Sequence, residues 1–100
     1  MDDYKSWNFP KSISIEQVSS YVDRLKYVKP VETITFDLSK TVNIHSSFIG
    51  FLLHAKQNIE RNGGKLELVL SLTLEKILIM LNIIDYFSPE IITVINQKSA

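Results

Sequence analysis

Residues 32–38, ETITFDL, are β-branched and alternate in polarity, and residues 65–70, KLELVL, alternate again. Each run is followed by a segment whose apolar residues recur at helical spacing. A period-two run that gives way repeatedly to a 3.6-residue period is the pattern of strands joined by crossover helices. Few other arrangements accommodate it. Strong punctuation falls at Pro10, Lys29-Pro30, Gly63-Gly64 and Ser88-Pro89, which cuts the chain into pieces of secondary-structure length.

Trp7 and Phe9 at period two predict a short strand over residues 5–10. Ser14 with Gln17 three residues on has the spacing of a capping box. Val18, Tyr21, Val22, Leu25 and Val28 then form the apolar stripe of an amphipathic helix that ends at Lys29-Pro30. Residues 46–61 carry Phe48, Ile49, Phe51, Leu52, Leu53, Ala55 and Ile59, so this second helix is expected to be buried on more than one side. Asn62-Gly63-Gly64 reads as its C-cap. Thr73 is the expected N-cap of a third helix, with Glu75 in its first turn and Leu74, Ile77, Leu78 and Leu81 facing inward. Residues 91–95 complete the pattern as a last strand. The order βαβαβαβ with short connections predicts a single α/β domain over residues 1–100, with about four strands in a largely parallel or mixed sheet packed with helices.

Composition narrows function. The chain has 100 residues, 11 basic and 11 acidic, with 45% hydrophobic residues and no cysteine. One core fits this length. Balanced and scattered charge gives no clustered basic face, so no nucleic-acid partner is expected. Disulfides, a thiolate nucleophile and cysteine-based metal sites are excluded, and two histidines alone make a poor metal site. No apolar stretch approaches the ~18–20 residues of a membrane span, so no membrane insertion is expected. The acidic start MDDYKSWNFP lacks an apolar leader region, and the reading is cytoplasmic. Asp37, at the end of a predicted strand, has no nucleophile, phosphate loop or second carboxylate beside it in sequence, so it is read as a loop-capping acceptor. With no catalytic constellation to assemble, the chain is read as a non-enzyme without cofactors.

From Thr33 to Phe87 the sequence resembles the STAS domain, the fold of anti-sigma factor antagonists and of the cytoplasmic tails of sulfate transporters. Four pieces carry the resemblance in order. Phe36-Asp37-Leu38-Ser39 is similar to the family's strand ending in Asp-Leu. Ile44-His45-Ser46-Ser47-Phe48-Ile49-Gly50 is similar to its Ile-Asp-Ser-Ser-Gly-Leu-Gly turn. Asn62-Gly63-Gly64-Lys65-Leu66 is similar to its Gly-Gly-Arg/Lys-Leu turn, and the segment from Thr73 to Phe87 to its Leu-Asp-x-x-Phe-like helix end. His45 stands where the family has Asp, and Phe48 where it has Gly. The family's N-terminal two-strand unit is trimmed, and little chain remains after Ile95 for its last helix.

The resemblance implies partner switching in bacterial transcription regulation. An antagonist of this kind binds an anti-sigma factor, a serine kinase of the GHKL type, which phosphorylates the Ser after the motif's Asp. By position that is Ser46. Asn43, His45, Ser46, Ser47, Phe48 and Gly50 are then the expected docking residues. The residues themselves leave open whether Ser46 or Ser47 is the helix N-cap. Ile79, Met80 and Ile83 lie off the inward stripe of the third helix; they either widen the core face or form a patch for a partner or a second copy in a homodimer. The alternative role on the same fold is a non-switching scaffold or subunit of a larger complex, such as a transporter.

Overall fold

The computed structural model describes residues 6–27 and 33–95. Its main sheet has four strands, β1 (Ser6–Asn8), β3 (Thr33–Leu38), β5 (Lys65–Ser71) and β6 (Ile92–Ile95), in that spatial order. Every neighbouring pair is parallel. A second, two-stranded parallel ladder joins β2 (Ser12–Ile13) to β4 (Asn43–Ile44). The helices are α1 (Ile15–Leu25), α2 (Ser47–Arg61) and α3 (Leu72–Met80). The α/β class and the parallel sheet are as the sequence predicts. The small ladder has no counterpart in the sequence reading, and neither do two 3₁₀ turns, Ile84–Tyr86 and Pro89–Ile91.

Strands that follow one another in space as in sequence, joined by right-handed crossovers, place their helices on one face of the sheet. Burial follows. In β3 Ile34, Phe36 and Leu38 are buried, and in β5 Leu66, Leu68 and Leu70. The alternate residues Thr33, Thr35, Asp37, Lys65, Glu67 and Val69 are exposed or half-buried. Parallel sheets are usually covered on both faces; here the second face is mostly polar, and no helix among the described residues covers it. Thr35 Oγ1 donates to Glu67 Oε1 at 3.5 Å across it, and Lys65 lies 3.6 Å from Glu67.

Each helix end has a local cause. Ser14 Oγ accepts the Gln17 N–H, and Gln17 Oε1 accepts the Ser14 N–H at 2.8 Å, so the predicted capping box is present. At the end of α2, Gly63 has φ 87°, while the Gly64 N–H donates to the Ile59 carbonyl at 2.9 Å and the Gly63 N–H to that of Glu60 at 3.0 Å. This is a Schellman termination, and glycine is needed at the left-handed position. Val28 and Glu32, assigned from sequence to the first helix and second strand, lie outside the described residues.

The third helix departs from expectation at both ends. Ser71, not Thr73, is its N-cap: Ser71 Oγ accepts the Leu74 N–H at 2.9 Å. Asn82 takes φ 60° and repeats the Schellman pattern, with the Ile83 N–H donating to the Leu78 carbonyl at 3.1 Å. The helix therefore stops at Met80. Leu81, expected to face inward, is 52% exposed, whereas Ile83 lies beyond the helix and packs against the core. Among the described residues, no helix is long and apolar enough to cross a membrane.

Candidate functional site

The loop between β3 and α2 is fixed by buried hydrogen bonds before it reaches the candidate residues. Thr41, fully buried, donates its hydroxyl to the Pro10 carbonyl at 2.7 Å and accepts the Ser71 hydroxyl on its own carbonyl at 2.6 Å. The Lys11 carbonyl accepts the N–H groups of Val42 and Asn43. These bonds tie together the chain leaving β1, the chain leaving β3 and the start of α3. Asp37 contributes as the sequence suggests, its Oδ1 accepting the Ser39 N–H at 3.0 Å and the Ser39 hydroxyl at 2.6 Å. The small ladder then carries the chain outward, with Asn43 opposite Ser12 and Ile44 opposite Ile13. Asn43 is exposed, and its side-chain amide donates to Ser12 Oγ at 3.3 Å.

His45 ends this run, its N–H donating to the Ile13 carbonyl at 3.0 Å. Its ring then turns onto the first turn of α2. Nδ1 accepts the Ser47 N–H at 3.1 Å and lies 2.8 Å from Ser47 Oγ. The Ser47 N–H can only donate in this contact, whereas the Ser47 hydroxyl can donate or accept according to the tautomer of the ring. The His45 carbonyl accepts the Phe48 N–H at 2.9 Å. An imidazole thus provides the acceptor that an aspartate ordinarily provides at this point of a helix.

The two serines separate. Neither hydroxyl caps α2 as the sequence reading expected. Ser46 already has helical dihedrals, φ −57° and ψ −30°, which aim its side chain away from the N–H groups it would need to accept. It is exposed, and its hydroxyl makes no hydrogen bond among the described residues. Ser47 is half-buried and engaged by His45. Gly50, one turn on, is exposed, and a Cβ built there meets no atom within 4 Å. Among the described residues no packing contact requires that glycine, although glycine inside a helix costs about 0.5–1 kcal/mol relative to alanine.

One expected docking residue is not at the surface. Phe48 is fully buried, its ring 5.6 Å from those of Phe9 and Phe51. It lies on the inner side of α2, with the core, because the helix turns it 200° away from Ser46. Ile79 and Met80 are 48% and 79% exposed, so they do not widen the core face. With Leu81 they form an apolar patch at the far end of α3. That helix begins after the C-terminal end of β5, beside the loop, and runs back toward the other end of the parallel strands; the two candidate surfaces therefore lie at opposite ends of α3. His54 is exposed in the middle of α2. Among the described residues, no group of three or more His, Cys, Asp or Glu side chains is gathered to hold a metal.

Comparison of the chain with protein-family models, with curated proteins and with solved structures gave no match.

Proposed function

We propose that this chain is an anti-sigma factor antagonist-like STAS domain, a non-enzymatic module of a bacterial partner-switching pathway. Its docking surface is the exposed start of α2, formed by Asn43, His45, Ser46, Ser47 and Gly50, and its partner is a GHKL-type serine kinase that phosphorylates Ser46. The observation that carries this reading is the exposed hydroxyl of Ser46, which makes no hydrogen bond among the described residues, beside an engaged Ser47. A phosphate there adds about −1.5 to −2 charges at the exposed N-terminal end of α2, the positive end of its macrodipole, where a docked partner meets it directly. The open space over Gly50 gives a second support, since it leaves the helix backbone accessible to a close neighbour.

The test is recovery of the tagged protein from its host cells with intact-mass analysis of the complex. The expected result is a kinase partner and a species heavier by one phosphate, mapped to Ser46 and lost in Ser46→Ala. Gly50→Ala is expected to stabilise the free domain by about 0.5–1 kcal/mol while weakening the complex. A phosphate mapped elsewhere, or a complex indifferent to Ser46→Asp, defeats the switch.

A second reading, the non-switching subunit of a larger complex, is favoured by the exposed Ile79, Met80 and Leu81. It predicts a stoichiometric partner whose binding is lost in Met80→Lys and unchanged in Ser46→Asp.

A further inference from the structure

We infer that the edge strand β6 and the groove beside it take up an extended, basic segment of a partner protein, which adds to the main sheet as a further strand. In the order β1-β3-β5-β6, β6 has one neighbour among the described residues, β5. Alternate residues of β6 therefore turn backbone N–H and C=O groups outward, where an incoming strand can meet them. The devices that usually blunt such an edge are missing from Ile92-Thr93-Val94-Ile95, which holds no charge and no proline. Thr93 and Ile95 are exposed, and Ile92 and Val94 are half-buried. A site here shares no residue with the start of α2 or with the patch of Ile79, Met80 and Leu81.

The groove gives the occupant its chemistry. Ile92 and Val94 are in register with the buried Leu68 and Leu70, so they share the helix-side face of the sheet. α3 buries Leu74 and Leu78 over that face but leaves Ile92 and Val94 half-buried. With Ile84 and Pro89 they line a groove of about 260 Å³, and the charged residues lining it are Glu75 of α3 and Asp85 of the first 3₁₀ turn. No basic side chain lines it, and among the described residues neither carboxylate is in an ion pair. The other charges on these elements are Lys76 and Glu90, so acids predominate around the groove. An apolar lining with carboxylates matches lysine or arginine, whose stem covers Ile92 and Val94 while its head reaches Glu75 or Asp85. In an added strand, side chains two residues apart fall on one face, so the partner is expected to carry its basic residues at alternate positions. A second copy of this chain is a poorer occupant. Twofold pairing of β6 with itself would merge two such grooves and bring a Glu75 and an Asp85 from each copy to one seam, like charge against like.

The test titrates the full chain with an end-capped peptide of alternating arginine and valine and follows the backbone amides by NMR. The amides of Thr93, Val94 and Ile95 are expected to shift and to exchange more slowly, while those of Ser46 and Ser47 stay still. A peptide of alternating glutamate and valine is expected to leave all of them unmoved. Strand addition uses the N–H groups of alternate peptide residues only. Of two peptides, one N-methylated at every valine and the other at every arginine, one is therefore expected to bind about tenfold more weakly and the other like the parent. The double variant Glu75→Gln/Asp85→Asn, which keeps both side-chain shapes, is expected to bind the parent peptide about fivefold more weakly. Still amides at residues 93–95, equal binding of both methylated peptides, or undiminished binding by the double variant overturns the inference. So does sedimentation of the chain as a dimer that excludes the peptide. The methylated pair acts on the native chain and decides the question if the double variant does not fold.

Discussion

The core is built in two chemically different halves. Where β1 and β3 meet α1 and α2, six rings pack together: Trp7, Phe9, Tyr21, Phe36, Phe48 and Phe51. Phe36 stacks on Phe51 at 5.8 Å with planes 7° apart, and Phe9 meets Tyr21, Phe36 and Phe48 edge-on. Arg24 closes the outer side, its guanidinium 4.2 Å from the Trp7 ring centre. Where β5 and β6 meet α3 the filling is aliphatic, with Leu68, Leu70, Leu74, Leu78 and Ile91, and the one ring there, Phe87, pairs with no other among the described residues. Ring pairs have preferred geometries that branched chains lack. The aromatic half therefore specifies how α1 and α2 sit, and with them the loop that carries Ser46. The aliphatic half supports a nine-residue helix that ends in exposed apolar residues.

Deleting a ring and deleting a branched chain puts the two halves on one scale. Phe36→Ala removes a fully buried ring with three aromatic neighbours within 6 Å and is expected to cost about 3–5 kcal/mol. Leu78→Ala is equally buried but lies one turn from a helix end, where neighbours can settle into the space, and about 2–3 kcal/mol is expected. Urea denaturation of the two variants measures both. Equal losses, or a larger loss for Leu78→Ala, would show that the aromatic half is no more tightly specified than the aliphatic one.

A smaller effect tests the seam between the halves. Ser71 is 3% exposed and has two duties, capping α3 through Leu74 and donating to the Thr41 carbonyl. Ser71→Ala removes the cap and leaves that carbonyl without the donor, and about 1–2 kcal/mol is expected. The same variant is expected to speed amide exchange at Leu74 and at Val42. Faster exchange at Leu74 alone would mean that the β3–α2 loop holds its place without the link.

What could be read from the sequence follows the range of the interactions involved. α1 and the end of α2 were legible because their signals are local: Ser14 with Gln17, and glycines at 63 and 64, each act within a turn of the residues they cap. Asp37 was legible for the same reason, accepting from Ser39 two residues away. The start of α3 was not. Thr73 and Ser71 are both reasonable caps in sequence, and what favours Ser71 is a carbonyl thirty residues away, on Thr41. Phe48 is apolar in the helical pattern yet falls among the docking residues by its place in the resembled motif; the rings that claim it for the core come from Phe9, just after β1, and Tyr21 of α1. The choice between Ser46 and Ser47 had a third answer, since the acceptor belongs to His45, a residue type rarely considered as a cap.

The smallest expected effect belongs to the outermost member of the aromatic half. Tyr21 is half-buried against Trp7 and Phe9, and this burial raises its hydroxyl above the ordinary value of 10.0, with the Arg24 charge drawing it partly back. A raised folded-state value means that the native chain prefers the neutral phenol. The contribution is therefore complete below pH ~10 and is lost as the pH rises beyond it through the folded-state value. Tyr21→Phe keeps the ring packing and removes the ionisable group, so it is expected to leave stability near pH 7 within about 0.5 kcal/mol and to flatten the decline above pH ~10. Tyr27→Phe and Tyr86→Phe, at positions 84% and 63% exposed, are the controls and are expected to leave that decline unchanged. If Tyr21→Phe loses stability already at neutral pH, the hydroxyl has a role in the aromatic half beyond the edge of a ring. If the alkaline decline persists unchanged, the ring sits in water in the folded state and the aromatic half ends at Phe9.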